Sequence, residues 1–214
     1  MSIQTQSFNP SIQLGGIVRS YPRKGQIIRE DDSADHVYEV VSGTVCTCKM
    51  LRGGRRQIAG FYFAGDIFGL ESTNKQTVAA EATTNAKVRI FKKRTFTELA
   101  SSNVEVADRL LGLTARELAR KQDHILSTTA EERIISFLID MVQRASSSEE
   151  DVIDLPMSRQ EMADYLGLTI ETVSRTLWDF ERSGAIEISG RHILLRNQFP
   201  DRERRKAGRI FRRN

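Results

Sequence analysis

Sulfur is scarce in this chain: its 214 residues include only two cysteines, Cys46 and Cys48. Two apart in a candidate strand, they share a face but lie too far apart along it for an easy mutual disulfide. That excludes a disulfide-stapled scaffold and points to a reducing compartment. The thiols could in principle sense oxidant, but that requires exposure and a depressed pKa, so buried strand packing is the simpler reading. Residues 1–45 contain no cysteine, and two thiols cannot ligate an iron–sulfur cluster alone. Long apolar runs are also missing. No segment approaches the ~18 uninterrupted apolar residues that span a bilayer. The opening MSIQTQSFNP lacks a basic region followed by an apolar run. The expected location is the cytoplasm, with no membrane partner.

Groupings that carry catalysis are absent too. His36, His124 and His192 fall in three separate segments, no Ser/His/Asp arrangement is evident, and no G-x-x-x-x-G-K-S/T loop occurs. An enzyme, a metal and a cofactor are therefore not expected. A lone strand-end His36 leaves haem open in principle, against its plainer reading as a surface residue.

What is present suits a globular chain of one large or two modest domains, with 39% apolar and 28% charged residues. The formal net charge is +4; from Ser158 onward 12 Lys+Arg face 8 Asp+Glu, while residues 1–157 balance at 20 against 20. This asymmetry favours a polyanionic partner for the C-terminal part. The last segment, DRERRKAGRIFRRN from Asp201, carries seven Lys+Arg against two acids. It reads equally as a nonspecific DNA contact or a solvated tail.

Texture divides the chain. Residues 1–15 are polar and aperiodic, an N-terminal arm. Residues 16–100 alternate short β-type runs with turns at Gly25, Gly43, Gly53, Gly54, Gly60, Gly65 and Gly69, as expected of a small antiparallel barrel or sandwich. Over 101–127 the apolar residues Val104, Leu111, Leu118 and Ile125 recur every seven positions, with Ala107 and Thr114 near the second seam. Such a helix could pack on the barrel, but the heptad with its charged flanks predicts a parallel homodimer. Residues 128–200 open on Thr129 and Glu132, a capping-box pair, followed by an apolar stripe of Ile134, Phe137, Leu138, Met141 and Val142. After a polar linker, VIDLPMS returns extended and Ser158 is placed to cap a further helix.

The segment MSRQEMADYLGLTIETVSRTLWDFERS then reads as two helices about a tight turn. Ala163 and Leu166 mark the buried face of the first, Gly167 the turn, and Val173, Leu177 and Phe180 the buried face of the second. This is a helix-turn-helix pattern, and GAIEISGRHILLRN supplies a two-stranded wing about Gly190. The polar face of the second helix, 169–182, begins Thr169, Glu171, Thr172, Ser174, Arg175, groups suited to base edges. The plainer alternative for Glu171 and Arg175 at i, i+4 is a surface ion pair worth about 0.2–0.5 kcal/mol. Both, however, lie on the polar face opposite Val173 and Leu177, which favours DNA reading, and their attraction would also preorganise Arg175. Trp178, past the base-reading end, is expected in a core or at a domain interface.

These residues resemble the Crp/Fnr superfamily of bacterial transcription regulators, over nearly the whole chain. At the C-terminal end the resemblance rests on MSRQEMADYLGLTIETVSRTLWDFERSGAIEISGRHILL, and at the N-terminal end on RKGQIIRE, HVYEVVSGTV and FYFAGDIFGL. The E-x-x-S-R pattern of Glu171, Ser174 and Arg175 looks most like FixK-type activators. The resemblance implies an α+β protein: an N-terminal antiparallel β-roll of the cyclic-nucleotide-binding kind, a long dimerisation helix and a winged helix-turn-helix. It implies base reading by Glu171, Ser174 and Arg175 at a TTGA-type inverted repeat. Arg175 can pair with guanine O6 and N7 and Glu171 can accept from a cytosine amino group, a discrimination of about 1–3 kcal/mol per contact. Ile170 could press on a thymine methyl or lean on the turn. Ser158, Arg159, Gln160, Thr169 and Thr172 are candidates for phosphate contacts. An activator must also touch RNA polymerase, though no residue marks that surface. Where nucleotide-binding members carry an arginine and a small hydroxyl residue, this chain reads STNKQTVAAEATT. Lys75 is a poor substitute for a bidentate clamp. The expectation is operation without a small-molecule effector. The alternatives are a ligand-gated regulator, repressor or activator, with an unidentified effector in the β-roll, and a module whose output is protein contact. The second does not explain the helix-turn-helix.

Overall fold

A computed structural model describes residues 16–104, 106–108, 110–112, 114, 115, 118, 129–145 and 152–196. The N-terminal arm, Ile125, His124, the linker after Ala145 and the basic tail lie outside the described residues. The chain divides into two compact units, Met1–Ala115 and Arg116–Asn214, the division falling inside the 101–127 segment.

In the first unit the β-type runs become eight antiparallel strands: β1 (Ile17–Tyr21), β2 (Gln26–Ile28), β3 (His36–Ser42), β4 (Val45–Met50), β5 (Arg56–Tyr62), β6 (Ile67–Phe68), β7 (Ala79–Ala82) and β8 (Ala86–Lys92). They form two four-stranded sheets, ordered β1-β8-β3-β6 and β2-β7-β4-β5. Alternation sends one face of each sheet inward. Tyr38, Val40, Phe68 and Val88 of the first sheet meet Ile28, Val45, Ala80 and Ala82 of the second in one buried cluster. Each of the larger apolar side chains among them, such as Ile28, Val40, Val45, Phe68 and Val88, contributes about 1.5–3 kcal/mol when moved from water.

The β3–β4 turn depends on Gly43. Its φ is +79°, and a Cβ there would stand 2.3 Å from the Asn85 carbonyl oxygen, so only glycine fits. Gly53, Gly54, Gly65 and Gly69 also adopt positive φ. Gly60 differs, lying inside β5, where the Tyr62 ring packs 3.4 Å from the position of a Cβ.

Helix α1 (Lys93–Ser102) follows β8, and the described residues between 104 and 118 are helical. This helix has two apolar aspects. Val106 and Leu110 pack on the buried cluster of Val37, Ile67, Phe91 and Phe96, whereas Val104, Leu111 and Leu118 are 85%, 68% and 59% exposed. Within the first unit, therefore, the residues packed on the barrel, Val106 and Leu110, and the exposed Val104 and Leu111 of the expected heptad occupy different faces.

The second unit comprises α2 (Ala130–Ala145), β9 (Val152–Asp154), α3 (Arg159–Leu166), α4 (Ile170–Arg182), β10 (Ile186–Ser189) and β11 (His192–Leu195). Thr129 and Glu132 form the expected reciprocal cap: Glu132 N–H donates to the Thr129 hydroxyl (3.1 Å) and Thr129 N–H to the Glu132 carboxylate (3.0 Å). Ile134, Phe137, Leu138 and Met141 are buried. The wing has a third strand that the sequence reading left as an extended return: the sheet order is β10-β11-β9, with His192 opposite Asp154 and Leu194 opposite Val152.

Candidate nucleic-acid interface

Two short helices must be held at a fixed angle for one of them to read DNA, and local chemistry does most of that work. Ser158 caps α3 in a full capping box. Glu161 N–H donates to its hydroxyl, while the Ser158 N–H and hydroxyl both donate to the Glu161 carboxylate, at 2.6 and 2.8 Å. Gly167 ends α3 in the left-handed region, φ 67° and ψ 31°, the C-terminal signal that glycine provides without penalty. From α2, the Arg133 guanidinium donates to the Leu166 carbonyl at 3.2 Å, satisfying a carbonyl that the helix end leaves open. Thr169 then caps α4, its hydroxyl accepting from Thr172 N–H at 3.2 Å. Met162, Ala163, Leu166, Val173, Leu177 and Phe180 are buried.

The opposite face of α4 is open. Thr169, Ile170, Glu171, Ser174 and Arg175 are exposed, and Thr172 is half-buried. The i, i+4 attraction expected between Glu171 and Arg175 is not formed. The Glu171 carboxyl turns to the helix start, where its own backbone N–H and then the Thr169 hydroxyl hold it below the usual carboxylate range. At the second position of a helix those donors outcompete a mobile guanidinium that water solvates well. Arg175 consequently forms no ion pair among the described residues. It cannot be preorganised by Glu171 in the free protein.

The candidate phosphate contacts gather at two helix starts. Thr169 and Thr172 stand at α4. Ser158, Arg159 and Gln160 stand at α3, where the Gln160 amide donates to Asp164 at 2.8 Å. Arg159 is half-buried with its guanidinium 3.6 Å from the Met162 sulfur. Burial depresses its pKa, partly offset by the Glu181 charge. Ile170 is 37% exposed at the first turn of α4, compatible with either of its readings.

Trp178 is not a core residue. It is 54% exposed, and the Arg182 guanidinium lies over its ring at 5.3 Å from the centroid. Sequence reasoning also missed Glu181, whose carboxylate accepts from the Ile188 N–H of β10 at 3.2 Å and fastens the far end of α4 to the wing. Arg133 and Glu181 are partners across long or turning stretches of chain, which no local period announces. Trp178 could have been found, because 171, 174, 175, 178 and 182 share one helical face.

In the first unit, the segment from Gly65 to Thr84 shows how a nucleotide would fare. The Glu71 carboxylate accepts from Thr77 hydroxyl and N–H, at 2.8 and 3.3 Å, and Lys93 donates to the Glu71 carbonyl at 2.6 Å. A carboxylate already placed on the hydroxyl would repel a phosphate. Gln76 is 1% exposed and offers a neutral amide. The space between the sheets holds aromatic rings, Tyr38 stacked on Phe68 at 5.2 Å and Tyr62 tilted against Phe68 at 5.3 Å. These residues do not fit a cyclic nucleotide.

Cys46 and Cys48 are both buried and unpaired in β4. Burial pushes the Cys46 thiol up to about 12, with the neighbouring Thr83, Glu81, Arg56 and Cys48 making smaller contributions of both signs. A reactive thiolate requires the reverse shift.

Comparison with known proteins agrees with this anatomy. Residues 132–198 match the family described as Crp-like helix-turn-helix domain, and residues 18–103 match the family described as Cyclic nucleotide-binding domain. The chain is 42% identical over 185 residues to the nitrogen fixation regulation protein FixK of Azorhizobium caulinodans, covering 83% of this chain and 75% of that one. It is 38% identical over 167 residues to the FixK protein of Bradyrhizobium diazoefficiens, covering 76% and 70%. Among solved structures, FixK2 from Bradyrhizobium japonicum is similar, with TM-score 0.78 and 42% identity over 86% of this chain and 93% of that chain.

Proposed function

Because the chain belongs to the Crp/Fnr family of bacterial transcription regulators, we propose that it activates transcription as a homodimer on a TTGA-type inverted repeat, without a small-molecule effector. DNA-binding transcription regulation of the FixK type is the premise; the target, the pairing and the effector independence are the reading. The observation that carries it is the exposed first half of α4, with Arg175 unpaired among the described residues. Free of a partner in the protein, that guanidinium can take a guanine edge, Glu171 a cytosine amino group, and Ser174 and Ile170 the neighbouring positions. Ser158, Arg159, Gln160, Thr169 and Thr172 fix the register on phosphates.

Effector independence is supported by the β-roll itself: the Glu71–Thr77 bonds, the neutral Gln76 and the aromatic contacts between the sheets. Pairing is supported by the exposed Val104, Leu111 and Leu118, which extend in sequence to Ile125. The segments divide the work as regulatory β-roll (16–100), pairing helix (101–127) and DNA-binding domain (128–200). RNA polymerase is the remaining partner, the cytoplasm the setting, and control of nitrogen fixation, which the FixK relatives' names state for them, the proposed process.

In vitro selection of duplexes by the purified chain, with and without cyclic nucleotides, tests target and signal together. Enrichment of a TTGA-type palindrome in the absence of nucleotide is expected. Enrichment only with a nucleotide, or of an unrelated sequence, overturns the corresponding part.

A further inference from the structure

The face of α4 that carries Glu171, Ser174 and Arg175 does not end there. Trp178 and Arg182 continue the same stripe at helical spacing, and both are exposed. The arginine is ordered over the indole, 5.3 Å from the ring centroid, a contact that fixes a long side chain otherwise free to rotate. Arg182 forms no ion pair among the described residues. Of the nearby acids, Glu181 is engaged by the Ile188 N–H of the wing, and Asp179 stands exposed on the flank.

We propose that Trp178 and Arg182 form a phosphate clamp that holds the sugar–phosphate backbone beyond the base pairs read by Arg175. The inference rests on the DNA reading above. At 1.5 Å per residue, Arg182 lies about 10 Å beyond Arg175 along the helix, while the major groove is about 12 Å wide. The far end of α4 therefore comes up against a groove wall lined with phosphates. There a guanidinium, pinned by an aromatic platform, makes a charge-assisted contact. The indole lies against the guanidinium and is itself shielded from water by the strand. Such a contact adds affinity and register and reads no base.

Trp178 is the only tryptophan of the chain, so its emission reports this location alone. Full-length protein is titrated with a labelled TTGA-type palindrome and a random duplex, following duplex polarisation and, separately, indole emission and its quenching by acrylamide. Binding is expected to shift the emission and protect the indole. Arg182→Gln is expected to weaken both duplexes by a similar factor and to lower the slope of log K against log salt by about 0.9 for each half-site engaged. Trp178→Ala should do the same, with the double variant no worse than Arg182→Gln. Both side chains are exposed, so unchanged circular dichroism and melting are expected to accompany these effects. If polarisation reports binding while the indole stays open to quencher and the salt slope is unmoved, the clamp is overturned and the DNA reading stands. If Trp178→Ala spares DNA binding but abolishes transcription with added RNA polymerase, the indole serves a protein contact and the clamp is overturned. Failure of the unaltered protein to bind any duplex overturns both.

Discussion

Arg175 is exposed and outside any ion pair among the described residues, so truncating it should leave stability within about 0.5 kcal/mol. Its effect belongs to the complex. Arg175→Ala is expected to weaken a TTGA-type palindrome roughly 5- to 150-fold per half-site, and random DNA far less, because a bidentate guanine contact is worth about 1–3 kcal/mol. Polarisation titrations on the two duplexes measure the difference; equal losses would make Arg175 a phosphate contact. The spacing of Glu171 and Arg175 suggested a pair, but spacing carries no information about competing donors. Two of those, the Glu171 N–H and the Thr169 hydroxyl, sit at the helix start, nearer than Arg175. At Cys46, strand placement alone suggested burial, and the thiol at about 12 gives that burial its chemical consequence.

At the scale of elements, the turn between α3 and α4 is the most sensitive joint. A Cβ on Gly167 would meet only the Arg133 guanidinium, at 3.8 Å, so crowding is no obstacle. The conformation is, since φ is +67°. Gly167→Ala is expected to cost about 1–2 kcal/mol, read as a lower thermal midpoint, and to loosen the angle at which α4 is presented. Elements governed by local rules were open to sequence reading: the Thr129–Glu132 and Ser158–Glu161 caps, the glycine turn, and the buried period of Val173, Leu177 and Phe180. What escaped depends on distant chain. The third wing strand, β9, is joined to β11 across α3 and α4. Arg133 reaches Leu166 over 33 residues. Of the two places its residue type suggests for Trp178, a core or a domain interface, the core is ruled out by its exposure, and its position on the stripe of Glu171 and Arg175 already points outward.

For the whole molecule, the exposed Val104, Leu111 and Leu118 of the proposed pairing helix set the expected state in solution. Leu111→Glu with Leu118→Glu is expected to give a monomer by light scattering and to abolish high-affinity binding to the palindrome while each winged domain stays folded. A surviving dimer would refute the heptad assignment. A two-fold pair places its recognition helices about one DNA turn apart, which is why the palindrome, and not the half-site, is the expected target.

The proposed pairing also makes abundance a control variable. Below the dimerisation constant, halving the amount of chain cuts the paired form about fourfold. On the proposed effector-free reading, such a regulator is governed by its own synthesis and degradation, with promoters responding steeply as the supply of chains crosses that threshold.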